Sequence, residues 1–138
     1  VLEDEMEQAL PHLRWAPELY TSALTGKGVH RILPLVKKIY KQFDKHVSTS
    51  KLNVFLERAV HNHSVPQRYH RPVRLNYMTQ ARVRPPTFIV FSNTPEGVKD
   101  PYKRYLENQL RDQWGFEGSP IRLHFRKKRK PGEGKDFG

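Results

Sequence analysis

Cysteine is absent from this 138-residue chain, which removes disulfides, thiolate nucleophiles and cysteine-ligated zinc from consideration. That absence fits a reducing compartment, and cytoplasmic localisation is the expectation. No stretch approaches the roughly 18 consecutive apolar residues a membrane helix needs, so no membrane partner is expected. Residues Val1–Leu10 are acidic and polar where a secretory signal would be basic and then apolar. The phosphate-loop pattern G-x-x-x-x-G-K-[ST] is missing, because Lys27 in Thr25-Gly26-Lys27-Gly28 lacks both the spacing and the following hydroxyl. No nucleophile motif appears, and the acids Glu57, Glu96, Asp100 and Glu107 are scattered singly. Catalysis by this chain alone is not expected, and neither is a cofactor or a metal held within it.

Acidic residues are also few: 14 Asp and Glu stand against 25 Lys and Arg, a net charge of +11. The imbalance is local. Residues 1–50 carry seven basic and six acidic side chains, whereas residues 51–138 carry eighteen and eight. A near-neutral start followed by a strongly basic remainder indicates two units, the second seeking a polyanion.

Periodicity supplies the elements. Residues 2–10 read as a short helix with an acidic first turn, closed by Pro11. Leu19–Ala23 reads as a short strand, and Thr25–Gly28 as a turn. Val29, Ile32, Leu33, Val36, Ile39, Tyr40 and Phe43 recur at helical spacing, with Pro34 expected to kink that helix or delay its start. One strand and two helices cannot close a core, so this first unit reads as the edge of something larger. Beyond it, Leu52, Phe55, Leu56, Ala59 and Val60 stripe a helix capped by Ser48 or Thr49. Val73, Leu75, Tyr77, Thr79, Ala81 and Val83 alternate with Arg74, Asn76, Met78, Gln80, Arg82 and Arg84, predicting a strand with one core face and one basic face. Thr87–Asn93 reads as a more apolar strand. Tyr102, Tyr105, Leu106, Gln109, Leu110 and Trp114 stripe a second helix, and Ile121, Leu123 and Phe125 a third strand. The order helix–strand–strand–helix–strand predicts an α+β layer of helices on a small sheet. The run Lys127-Lys128-Arg129-Lys130, passing into glycine-rich sequence, has the composition of a segment that orders only on binding.

The cationic set Arg74, Arg82, Arg84, Arg122, Arg126, Lys127, Lys128, Arg129 and Lys130 is the main functional signal. Its excess over what solubility requires points to nucleic acid, with RNA favoured because no recognition-helix or zinc-finger spacing is present. Tyr69, Tyr77 and Phe88 are candidates to add stacking, although simple alternation puts Tyr77 on the core side. Gly115-Phe116-Glu117-Gly118 spells the G-x-x-G with which KH domains clamp a nucleic-acid backbone. Here a strand follows it instead of a helix, and Glu117 would repel phosphate, so a helix-ending turn is the expected role. His61 and His63, two apart on a helix, face different ways, and with His70 they do not make a zinc set.

Leu19-Tyr20-Thr21-Ser22-Ala23-Leu24-Thr25-Gly26-Lys27-Gly28 resembles the last nucleotide-contacting element of a GTPase G domain, the Ser-Ala-x loop. It is followed by Ser48–Asn53, Tyr77-Met78-Thr79-Gln80, Pro85-Pro86-Thr87-Phe88, Tyr102–Asn108 and Gly118–Arg122. In that order and spacing, residues 15–127 resemble the C-terminal part of the Der (EngA) family of bacterial GTPases, which have two tandem G domains and a KH-like domain. The resemblance implies that residues 1–45 are the C-terminal edge of the second G domain, residues 46–127 a KH-like domain, and residues 128–138 a basic tail. It implies a role in assembly of the large ribosomal subunit, with rRNA and the neighbouring G domains as partners. Ser22, Ala23 and Leu24 would be partial guanine contacts, and GTP with Mg²⁺ would belong to the intact protein. The phosphate loop, switches and Asn-Lys-x-Asp motif would lie before Val1, which makes the chain an expected fragment. Two alternatives remain: a module docking mainly on a neighbouring G domain, and a free-standing small RNA-binding protein.

Overall fold

The computed structural model describes residues 2–67 and 71–128. Helix α1 spans Leu2–Ala9, and Glu3, Asp4 and Glu5 sit in its first turn, where the helix dipole favours negative charge. Helix α2 spans Ile32–Phe43 and is entered through a 3₁₀ turn at Val29–Arg31. Pro34 thus falls in the first turn of α2, where a missing N–H costs no intrahelical bond. The delayed start expected from that proline is what occurs. Helix α3 covers Thr49–Asn62, strand β1 Leu75–Arg82, strand β2 Thr87–Ser92, helix α4 Asp100–Trp114 and strand β3 Arg122–Arg126. The order α3-β1-β2-α4-β3 is the one the hydrophobic spacing predicts, in an α+β layer.

The sheet has the order β1-β2-β3, with β1 antiparallel and β3 parallel to the central β2. The parallel pair requires a crossover, and α4 supplies it. Leu52, Phe55, Leu56 and Ala59 of α3 and Tyr102, Leu106 and Leu110 of α4 pack with Met78, Phe88 and Val90 in one core. Burial at this density contributes on the order of 1.5–3 kcal/mol per large side chain. Ser48 occupies the N-cap position of α3, but its side chain makes no cap bond; Ser48 Oγ lies 3.4 Å from Ser50 Oγ instead.

Two expectations need correction. Leu19–Ala23 is not a strand: all three strands among the described residues lie between Leu75 and Arg126. A short apolar run becomes a strand only where a neighbour satisfies its backbone, and none is present beside it. Simple alternation also fails along β1, because the register shifts between Leu75 and Tyr77 and again between Gln80 and Arg82. Each irregularity reverses the sense of the side chains that follow. Met78 is therefore fully buried, and Gln80 turns its amide toward the helices, whereas Tyr77 is 45% exposed on the opposite face. Phe88, a stacking candidate, is wholly buried edge-on against Phe116, with ring centroids 5.9 Å apart.

Among the described residues the first unit has no buried hydrophobic side chain, and Val47 is the first core residue along the chain. Leu33 is 70% exposed, and Val36 and Tyr40 are also open on α2. Specific bonds nonetheless fasten this unit to the rest. Gln42 Oε1 accepts the Phe116 N–H at 3.1 Å, Lys45 Nζ donates to the Trp114 carbonyl at 2.6 Å, and the Gly118 N–H donates to the Trp15 carbonyl at 3.1 Å.

At the end of α3, His63 stacks on Tyr102 at 5.8 Å and meets Tyr105 edge-on at 4.9 Å. The Tyr102 hydroxyl donates to the His63 carbonyl at 2.7 Å. Burial, with Tyr105 adding to it, pushes the Tyr102 hydroxyl up to about 12. Because the folded value exceeds the unfolded value of about 10, this hydroxyl's contribution to stability is complete below pH 10. It is lost as pH rises from there through 12. Tyr102→Phe should therefore be less stable than the native chain by roughly 1 kcal/mol at pH 8, with the gap closing above pH 10 in urea titrations.

Candidate nucleic-acid interface

Covering one side of a small sheet with α3 and α4 leaves the other side for function. Parallel register aligns Arg122 with Thr87, His124 with Ile89 and Arg126 with Phe91, all on the uncovered face. Leu123 and Phe125, in between, turn toward the helices, where Lys103 Nζ lies 5.4 Å from the Phe125 ring centroid. The second irregularity of β1 brings Arg82 opposite Thr87, onto the same face. Arg82, Arg122, His124 and Arg126 are exposed and line a depression of about 350 Å³ with Thr87 and Ile89 at its floor. A second depression of about 620 Å³ adjoins it through Ile89 and Arg126, and is completed by Asn76, Tyr77, Phe91, Lys127 and Lys128. No carboxylate lines either one. Cations closely spaced over a face without acids repel one another, and a polyanion relieves that repulsion.

The predicted cations do not all join. Arg84 also lines the first depression, but its Nη1 pairs with Asp44 Oδ1 at 2.8 Å, and its N–H donates to the Phe43 carbonyl at 2.9 Å. Arg84, with φ of 56°, ties the end of α2 to the sheet and has part of its charge neutralised there. Arg74 is exposed at the opposite end of β1, its N–H donating to Asn93 Oδ1 at 2.7 Å, and lines neither depression. Arg129 and Lys130 lie outside the described residues, as do Tyr69 and His70. Periodicity missed the apolar centre made by Tyr77, Ile89 and Phe91. The available signal was the alternation of Thr87, Ile89 and Phe91 within Thr87–Asn93, hidden because the intervening residues are apolar too.

The G-x-x-G segment takes no part in this face. Gly115 ends α4 with φ of 86°, its N–H donating to the Arg111 carbonyl at 2.8 Å, and Gly118 has φ of 74°. Between them Phe116 is fully buried, while Glu117 pairs with Lys38 at 3.1 Å. The segment is the helix-ending turn its context predicts, used to seat an aromatic ring and to meet α2.

Ser22, Ala23 and Leu24 form a self-closed turn. Ser22 Oγ accepts the Thr25 N–H at 3.2 Å, the Ser22 carbonyl accepts the Gly26 N–H at 2.8 Å, and the Ser22 N–H donates to the Lys27 carbonyl at 2.9 Å. Leu24 is 95% exposed at its tip. Among the described residues no group of three or more His, Cys, Asp or Glu is arranged to hold a metal ion, and no helix is long and apolar enough to cross a membrane.

Residues 46–126 match the family described as the KH-domain-like region of EngA bacterial GTPase enzymes, C-terminal. Over 114 residues the chain is 45% identical to GTPase Der of Natranaerobius thermophilus, covering 83% of this chain and 26% of that protein. It is 40% identical to GTPase Der of Parvibaculum lavamentivorans over 131 residues, 95% of this chain and 28% of the relative. With GTPase Der of Trichlorobacter lovleyi the identity is 38% over 134 residues, 96% of this chain and 30% of the relative. The chain thus spans between 26% and 30% of the length of these curated relatives. The matched region is the one that forms the α3-β1-β2-α4-β3 layer, and the chain belongs to the family of KH-domain-like C-terminal regions of EngA bacterial GTPases.

Proposed function

We propose that this chain is the ribosome-binding end of a Der-type GTPase, and that its KH-like part docks on large-subunit rRNA through the open face of the sheet. In this reading residues 1–45 are the edge of the second G domain, residues 46–127 the KH-like domain and residues 128–138 a basic extension. The uncovered apolar stripe of α2, with Leu33 and Val36 open, is what the edge of a larger domain would present. GTP with Mg²⁺ would be bound by the intact protein, Ser22, Ala23 and Leu24 contributing only the guanine loop, and the protein would work in the cytoplasm.

The observation that carries the reading is the gathering of Arg82, Arg122, Arg126, Lys127 and Lys128 around one face lined by no carboxylate. Phosphate neutralisation by such residues releases counterions, so affinity falls with salt by about 0.7–0.9 in log–log slope per contact. Replacing Arg82, Arg122 and Arg126 together with alanine should lower the slope for large-subunit rRNA by about 2 and weaken binding roughly 50-fold near 0.15 M salt. Filter binding across a potassium chloride series measures both. An unchanged slope would overturn the reading, and loss of contact with the G domains while rRNA binding persists would favour the rival, intramolecular docking module.

A further inference from the structure

The open face is not uniformly charged, and its pattern says more than its sign. Tyr77 on β1 and Phe91 on β2 are register partners, with ring centroids 6.1 Å apart and planes inclined by 42°. Ile89 lies beside them, and Arg126, Lys127 and Lys128 close the β3 side of the same depression. Tyr77 is 45% exposed although Met78, its neighbour in sequence, is fully buried, so an aromatic ring is turned outward by the register shift before it. Strands are about 4.8 Å apart. The sheet therefore carries two adjacent tracks, an aromatic one on β1 and β2 and a cationic one on β3 and its continuation.

We infer that this face takes an unpaired RNA segment, its bases stacking on Tyr77 and Phe91 while its phosphates run along Arg122, Arg126, Lys127 and Lys128. Charge complementarity selects a polyanion, and the aromatic track selects among polyanions. In an A-form duplex the base faces are hidden within the stack, and only phosphates, hydroxyls and groove edges are offered. Such a duplex would leave the Tyr77–Phe91 surface wet and unused. Splayed bases, each with an exposed π-face, match both tracks and place the apolar surface out of water. The inference rests on the RNA reading above and specifies which form of RNA the face accepts. It also separates the site from the Gly115–Gly118 turn, whose Phe116 is buried and whose Glu117 is paired with Lys38.

The test uses the 138-residue chain with a single-stranded RNA decamer carrying 2-aminopurine, and a blunt duplex of the same length as competitor. Native chain is expected to prefer the single strand and to quench the 2-aminopurine fluorescence. Tyr77→Leu, and separately Phe91→Leu, should weaken single-strand binding roughly 5- to 150-fold per lost stack and abolish its quenching. Their salt slopes should stay native, because no charge is removed, and Tyr77→Phe should restore both affinity and quenching. Native circular dichroism and urea midpoints for Tyr77→Leu, whose ring is half exposed, exclude misfolding as the cause. Equal affinity for duplex and single strand, or full quenching in the leucine variants, overturns this inference while leaving electrostatic RNA binding intact. Native oligonucleotide binding by both leucine variants, as expected of a protein-docking face, overturns it as well. Absence of salt-dependent binding to either RNA overturns the underlying RNA reading instead.

Discussion

Phe116→Ala is expected to cost about 3–5 kcal/mol, the range for deleting a fully buried phenyl ring from a core that cannot collapse around the gap. The ring is wholly enclosed, edge-on to Phe88 at 5.9 Å and with Lys45 Nζ 5.4 Å from its centroid. Small domains have about 5–15 kcal/mol in total, so the loss approaches the whole. Urea unfolding should show a midpoint displaced downward at nearly constant slope. A second variant separates ring from backbone. Phe116 holds φ of 52°, a conformation that costs an L-residue roughly 1–2 kcal/mol and glycine little. Phe116→Gly should therefore be no less stable than Phe116→Ala, reversing glycine's usual penalty. A glycine variant clearly below alanine would mean that the ring site and the left-handed turn are not coupled as described.

The same residue bears on what was legible beforehand. That Gly115–Gly118 is a turn and not a phosphate clamp followed from Ser119-Pro120 leading into a strand, a local fact about sequence. That the turn also seats Phe116 under α2 did not follow, because it depends on Gln42 reaching a backbone N–H 74 residues away. Element order across α3-β1-β2-α4-β3 was readable because amphipathic spacing is imposed by the core itself. Sidedness along β1 was not. Each register shift changes which face a residue occupies, and leaves no compositional mark. Simple alternation accordingly puts Tyr77 in the core and Met78 in solvent, opposite to their positions. Of the candidate interface, Arg82, Arg122, Arg126, Lys127 and Lys128 are legible from charge and strand alternation, whereas the aromatic track beside them requires three-dimensional register. Arg74 and Arg84 show the converse. Charge marks them, but Arg74 sits just before β1, at the end away from Arg82, and Arg84 is engaged by Asp44.

Asn53→Ala is expected to destabilise the chain by about 2–4 kcal/mol, although Asn53 looks in sequence like an ordinary polar residue on a helix. Strand β1 lies at the edge of the sheet, and an unpaired edge is both a stability cost and an invitation to pair with another chain. Asn53 closes it. Its Oδ1 accepts the Met78 N–H at 3.0 Å, and its Nδ2 donates to the Met78 carbonyl at 3.1 Å and to the Thr49 carbonyl at 2.8 Å. One amide thus acts as a stretch of neighbouring strand at the point where α3 crosses β1. Gln80 repeats the device nearby, its Oε1 accepting the Val47 N–H at 2.7 Å and its Nε2 donating to the Lys45 carbonyl at 2.9 Å. Alanine at position 53 leaves a donor and an acceptor of Met78 unmatched beneath the helix, at about 1–3 kcal/mol for each group that water does not reach. Asn53→Asp keeps the acceptor at this position and removes the donor. An ionised carboxylate would still accept from the Met78 N–H but would set negative oxygen against the carbonyls of Met78 and Thr49, which raises its folded pKa above the unfolded value of about 3.9. Stability of that variant should be greatest below about pH 4, where the protonated group can donate, and should fall as pH rises through the raised value. Urea midpoints measured for the aspartate and alanine variants from acid to neutral pH decide the matter. An aspartate variant as stable as the native chain at neutral pH would show that the edge of β1 is satisfied by other means.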